Sequence, residues 1–150
     1  MTSPQTIDRK QSPEPAAKPK VAVVQTSPQT VLADVKRAME LADYTSVLPS
    51  DLETLLKINI SWQHYYPACS TTPWQLEGVI KTLQADGYQQ LVPTHNGTVV
   101  VDAREGEENN KQRVVQEKYG LESVYLEEVK WVSYEPKAKM LVLDQVYPDG

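Results

Sequence analysis

Residues 55–92, LLKINISWQHYYPACSTTPWQLEGVIKTLQADGYQQLV, carry the fold class. In Leu55–Ile60, the residues Leu56, Ile58 and Ile60 alternate with Lys57, Asn59 and Ser61, and a period of two with β-branched side chains marks a strand. The capping-box pattern Ser50-Asp51-Leu52-Glu53 offers a helix there instead, and the alternation favours the strand. Further on, Thr72-Pro73-Trp74-Gln75 joins a capping box to a proline at the first helical position, where its missing N–H costs nothing. Leu76, Val79, Ile80 and Leu83 then recur at helical spacing, and Asp86-Gly87 supplies a left-handed stop. Leu91-Val92 begins a brief strand ending at Pro93. Strand, helix, strand implies parallel pairing through a right-handed crossover.

The same grammar extends both ways. Val21-Ala22-Val23-Val24 is a short apolar run expected as a strand buried on both faces. Ser27-Pro28 opens a helix resting on Val31, Leu32, Val35, Ala38, Met39 and Ala42, which ends before Pro49. Downstream of Val99-Val100-Val101, the polar stretch Asp102–Gln112 feeds a weakly amphipathic helix on Val114, Val115 and Tyr119, stopped by Gly120. Val124–Leu126, Val129–Tyr134 and Met140–Leu143 read as strands, the last two separated by the turn Glu135-Pro136-Lys137. The expected fold is α/β, an open, mostly parallel sheet with helices on its faces and an antiparallel edge at its C-terminal end. Residues 1–20, with four of the eleven prolines and few apolar side chains, read as a disordered tail before a domain spanning 21–150. The closing Tyr147-Pro148-Asp149-Gly150 is a turn signal that normally leads onward, so the domain reads as the N-terminal portion of a longer one.

Composition removes several functions. With 20 acidic and 15 basic residues the net charge is −5, which disfavours nucleic acid as a partner. There is no apolar run of about 18 residues, so no membrane span is expected, and cytoplasmic is the default location. Cys69 is the single cysteine, so no disulfide can form within the chain, and a four-thiolate zinc site or an iron-sulfur cluster would need cysteines from elsewhere. No Walker A loop or Gly-x-Gly-x-x-Gly is present.

In open α/β sheets ligands bind beyond the carboxyl ends of the strands. Lys57, Asn59, Ser61 and His64 follow or end the second expected strand, Thr72 opens the helix after it, and Thr94, His95 and Asn96 follow the third. Lys57 and Asn59 share one face. They either hold an anionic or carbonyl oxygen of a small ligand, or Lys57 reaches solvent from an edge strand. His64 and His95 lack the close spacing of metal ligands, and no metal is expected. Glu105, Glu107 and Glu108 read as a solvated helix entrance. A small-molecule site at the strand-two and strand-three rim is the first expectation. The second is a noncatalytic module, completed by a missing segment, a partner chain or a second copy.

The order Val-Ala-Val-Val, helix, Leu-Leu-Lys-Ile-Asn, loop, Thr-Thr-Pro, helix, Asp-Gly-Tyr resembles the N-terminal part of the domain of unknown function 362 family, most closely over residues 20–95. The resemblance implies an α/β domain longer than this chain, sometimes joined to iron-sulfur modules, and supplies no reaction. It places the family's Lys-x-Asn on Lys57 and Asn59 and its helix start on Thr71–Pro73, with Gly87 before the third strand. The chain departs from the pattern at Ile58, where a proline is usual, in lacking an acidic residue before Pro73, and at Thr94-His95-Asn96.

Overall fold

The computed structural model describes residues 20–133 and the backbone pairing of residues 145–146. The tail expected at the N-terminus, apart from Lys20, lies outside the described residues, as do Glu135-Pro136-Lys137, Met140–Leu143 and the terminal turn. Three strands, β1 (Thr54–Lys57), β2 (Leu91–His95) and β3 (Val124–Tyr125), form an open sheet in the order β1-β2-β3 with both pairings parallel. Helix α1 (Val31–Leu41) precedes β1, α2 (Pro73–Ala85) joins β1 to β2, and α3 (Ala103–Asn109) and α4 (Gln112–Lys118) join β2 to β3. The C-terminal antiparallel pairing exists between β4 (Val132–Ser133) and β5 (Gln145–Val146), as a separate two-stranded sheet rather than an edge of the first.

Ile58, Leu76, Ile80, Leu83, Tyr88, Leu91 and Val115 form the apolar core, with Leu56, Val79, Tyr119 and Leu121 at its margin. Helices α2 and α4 therefore cover the sheet face that carries Leu56, Ile58 and Leu91. Laying strands down in one direction through crossovers of one hand puts the connecting helices on one face. The other face carries Leu55 and Lys57, both exposed, and the half-buried Val92, so β1 is not flanked by helices on both sides as expected. Helix α1 runs alongside α2. A Cβ on Gly78 would lie 2.7 Å from Val35 Cβ, so a glycine is what allows the two helices to touch there. At the far end the Tyr44 hydroxyl donates to Asp86.

Val21–Val24 is the main correction. The segment forms neither helix nor strand and pairs with no strand among the described residues, and Val21 and Val23 are 84% and 87% exposed. Lys20 Nζ lies 2.7 Å from Asp43, tying the segment's start to the end of α1, so it runs back along that helix. An apolar β-branched run dictates an extended backbone; whether it meets an edge is a tertiary matter. Helix α1 also begins later than expected, because the Ser27 carbonyl accepts from Thr30 and Val31 in a turn before it.

Strand β1 stops at Lys57 because the next backbone groups turn elsewhere. Ile58 still donates to the Thr94 carbonyl at 3.1 Å, but Asn59 N–H donates to Thr71 Oγ1 and the Asn59 carbonyl accepts from Thr71 N–H. Strand β2, in contrast, runs through Pro93 to His95. The odd-numbered backbone groups of β2 face β3, as the Leu126 N–H to His95 carbonyl bond of 2.8 Å shows. Pairing with β3 begins only at Thr94, so the N–H that Pro93 lacks has no partner to lose. Gly87 and Gly120, at φ of +93° and +67°, end α2 and α4 as expected. The single helix expected after Asp102 is two, broken at Lys111, whose φ is +63°.

Candidate functional site

The loops after all three parallel strands meet in one crevice of about 800 Å³, with Gln63 from the loop after β1, Gly97–Val101 from the loop after β2, and Glu127 and Glu128 from beyond β3. The β2 loop is braced by its own polar groups. Thr98 Oγ1 accepts from the Val101 N–H at 3.1 Å, and Asp102 caps α3 by accepting from the Glu105 N–H at 2.9 Å. The Gly97 N–H donates to Glu127 Oε2 at 3.0 Å, and a Cβ there would sit 2.8 Å from Glu127 Oε1, so only glycine fits without displacing that carboxylate. Arg104 stands at the crevice wall. Its guanidinium lies 3.9 Å from the Tyr125 ring centroid, and its Nη2 is 2.6 Å from both carboxylate oxygens of Glu128.

Behind that wall lies a buried polar cluster that the sequence did not announce. Gly106 has no Cβ to strike Ile60, so α3 approaches the loop after β1 closely, and Asn109 and Asn110 donate to the carbonyls of Gln63 and Trp62 at 2.9 and 3.1 Å. This drives Glu107 inward to 1% exposure, while Glu105 and Glu108 stay exposed as the solvated helix entrance implied. Ser123 Oγ donates to Glu107 Oε1 at 2.7 Å and the Tyr125 hydroxyl donates to Glu107 Oε2. His95, also 1% exposed, stacks on Tyr125 with ring centroids 5.7 Å apart and places Nε2 3.8 Å from Glu107 Oε1. Neither ring nitrogen of His95 has a hydrogen-bond partner among the described residues.

The electrostatics follow from burial. Desolvation holds the His95 imidazole below its usual value, against the pull of the Glu107 carboxylate and with help from the Lys57 charge. Desolvation and the bond to Glu107 push the Tyr125 phenol up to about 12. A second, smaller cavity of about 280 Å³ opens beside this cluster between α3, α4 and β3, touching Glu107, Gln116, Ser123 and Tyr125.

The eight residues singled out by sequence scatter. Lys57 pairs with Thr94 across the ladder, so their side chains share a face, and His95 leaves by the other. Lys57 is exposed on an edge strand and its Nζ donates to the Ile58 carbonyl at 3.1 Å. Asn59 Nδ2 donates to Ser61 Oγ at 2.7 Å, an exposed local bond. His64 is exposed, with Nδ1 3.8 Å from Glu105 Oε1. Thr94 is buried, its Oγ1 3.5 Å from the Leu56 carbonyl, and Asn96 is exposed. Thr72 precedes α2 without the side-chain cap its capping box implies; its Oγ1 is buried without a partner beside a cavity of about 340 Å³ walled by Tyr65, Tyr66 and Trp74. Of the eight, only His95 belongs to the buried cluster. Glu107, Tyr125, Ser123 and Gln116 were missed; the available signal was a glutamate followed nine residues on by a glutamine, which no periodicity marks as inward.

Among the described residues no group of three His, Cys, Asp or Glu side chains is placed to hold a metal ion, and no helix is long and apolar enough to cross a membrane. No family of known proteins, no curated protein and no solved structure matches this chain.

Proposed function

We propose that the chain binds a small molecule bearing an anionic or carbonyl oxygen in the crevice at the carboxyl ends of the parallel strands. The observation that carries this reading is the convergence of all three post-strand loops on one crevice of ligand size, with Arg104 at its wall. Glu128 takes only Nη2 of the guanidinium, which leaves N–H donors for a ligand oxygen. The test is titration of the isotope-labelled protein with inorganic phosphate, acetate and pyruvate, followed by amide NMR. Shifts should centre on Gly97–Arg104, and Arg104→Ala should weaken binding about tenfold, the worth of one charge-assisted hydrogen bond. Shifts confined to residues outside the crevice at saturation would sink the reading.

A second reading, a module completed by a partner strand, is favoured by one observation. Among the described residues β1 pairs only with β2, and the backbone groups of Leu55 and Lys57 point outward from the sheet. An open edge of this kind is a template for strand addition. Sedimentation across a wide concentration range checks it: a strictly monomeric protein with fast amide exchange at Leu55 and Lys57 would discard it.

A further inference from the structure

We infer that the cavity between the β1–α2 loop and the α3–α4 junction is a second binding site, separate from the rim crevice, which takes a small planar ring carrying an anionic group, such as an aryl carboxylate. At about 340 Å³ it falls in the size range of small-molecule sites, and it shares no lining residue with the crevice.

The walls are aromatic. Tyr65, Tyr66 and Trp74 line the cavity while remaining 63%, 68% and 45% exposed. A loop that packs its aromatic side chains onto its own domain removes them from water, whereas these three keep much of their apolar area outside, around one opening. None of them stacks on another aromatic ring or lies under a cation among the described residues, where the aromatic pairs are Tyr44–Tyr88, Trp62–His64 and His95–Tyr125. Their rings are therefore free to meet a ring from outside, offset or edge-on.

Charge selects the sign. Lys111 is the one charged residue of the lining, and no Asp or Glu contributes to it, although the chain as a whole is acidic. The rim crevice and the cavity beside Tyr125 both carry carboxylates. Lys111 is exposed and belongs to none of the ion pairs among the described residues. Its flexible four-carbon stem lets the ammonium turn over the opening and meet an anion there.

The framework is held in place by bonds of its own. The Ser61 N–H donates to Ser70 Oγ at 3.2 Å and the Thr71 N–H to the Asn59 carbonyl at 2.9 Å, while Asn110 Nδ2 donates to the Trp62 carbonyl at 3.1 Å and Gln112 Nε2 to the Thr71 carbonyl at 2.7 Å. Both ends of the loop are thereby tied to the strand end and to the helical junction, so a ligand has little to order on entering. Two of the three non-glycine residues at positive φ among the described residues, Ala68 at +60° and Lys111 at +63°, line this same cavity. Backbone of that kind is unfavourable for residues with a side chain and collects at ligand sites.

The experiment is an NMR titration of the full chain with benzoate, acetate, benzyl alcohol and benzylammonium, following the backbone amides and the Trp74 indole N–H. Benzoate should shift Tyr65, Tyr66, Trp74 and Lys111 saturably. Acetate, which has the charge without the ring, should leave these four in place whatever it does at the rim. Benzyl alcohol and benzylammonium should bind about fivefold more weakly than benzoate, the worth of one exposed charge pair. Lys111→Asn removes the charge while keeping a residue that adopts the left-handed conformation, and it should erase the advantage of benzoate over benzyl alcohol. Trp74→Ala should weaken all three ring compounds severalfold, and Tyr65→Ala, on the exposed loop, should do the same if the first variant does not fold. Benzylammonium binding as tightly as benzoate, or an unchanged preference in Lys111→Asn, would overturn the assigned ligand class. No saturable shift at the three aromatic residues with benzoate at its solubility limit would remove the site. Self-association that disappears in Trp74→Ala would assign the aromatic walls to an interface between copies and overturn it equally.

Discussion

The connection from β1 to β2 buries Leu76, Ile80 and Leu83 against Ile58 and Leu91, whereas the connection from β2 to β3 buries Glu107, Asn110, Gln112 and Gln116. Both are strand-helix-strand crossovers on the same face of one sheet. The first is held by area removed from water, which is non-directional and tolerant of small shifts. The second is held by hydrogen bonds whose members must each find a partner: Asn110 to the Gly106 and Trp62 carbonyls, Gln112 to the Thr71 carbonyl, Glu107 to Ser123 and Tyr125. A polar interior of this kind stabilises less per residue and specifies more. The rim crevice is lined mostly by this second connection, and the first contributes Gln63 alone.

The contrast can be broken most strongly at the apolar side. Ile80 is fully enclosed, and Ile80→Ala should cost about 4 kcal/mol from lost transfer energy and the cavity left behind, read as a lower urea midpoint at unchanged slope. On the polar side, Glu107→Ala should cost about 2–3 kcal/mol, because it strands the buried Tyr125 hydroxyl and takes one acceptor from the half-buried Ser123 hydroxyl. Adding Tyr125→Phe should recover part of that loss, and a double-mutant cycle gives the coupling. Strict additivity would mean that the cluster is not a network.

His95 sharpens the comparison through pH. Its folded value lies below the unfolded value of 6.5, since burial disfavours the imidazolium. The unfolded chain then binds a proton that the folded chain refuses as pH falls below about 6.5, so stability declines there with a slope of up to about 1.4 kcal/mol per pH unit and is unaffected by this group above it. His95→Phe keeps a ring against Tyr125 and removes two unpartnered nitrogens. It should be within about 1 kcal/mol of wild type at pH 8 and should lose this part of the acid slope in chemical denaturation at stepped pH. A wild-type slope retained in the variant would assign it to the carboxylates instead. The smallest stability effect belongs to Arg104→Ala, under about 1 kcal/mol by thermal melting, since its pair with Glu128 is exposed. Its consequence is expected in ligand binding.

Much of the first crossover was legible. Thr72-Pro73 before a helical apolar stripe, and Asp86-Gly87 after it, mark α2 nearly residue by residue, because Pro at the first turn and a positive-φ glycine at the last are local requirements. The second crossover was not. Nothing local distinguishes Glu107 from Glu105 and Glu108, and its burial depends on how closely Gly106 lets α3 approach Ile60, a residue far away in sequence. Likewise, Val114 was taken as core and is exposed, while Gln112 and Gln116, one helical turn apart, face inward.

By itself the sequence determined the α/β class, the parallel sense of the pairing, and the places where helices stop, since these follow from periodicity, capping and the steric freedom of glycine within a few neighbouring residues. Only the tertiary structure decided which apolar segments became strands, leaving Val21–Val24 unpaired among the described residues while β2 ran through Pro93, and which polar groups were buried together. Those outcomes depend on which edge and which hydrogen-bond partner a distant segment brings into reach. The buried polar cluster turns on His95, Glu107 and Tyr125, which come from β2, α3 and β3 and meet only in three dimensions.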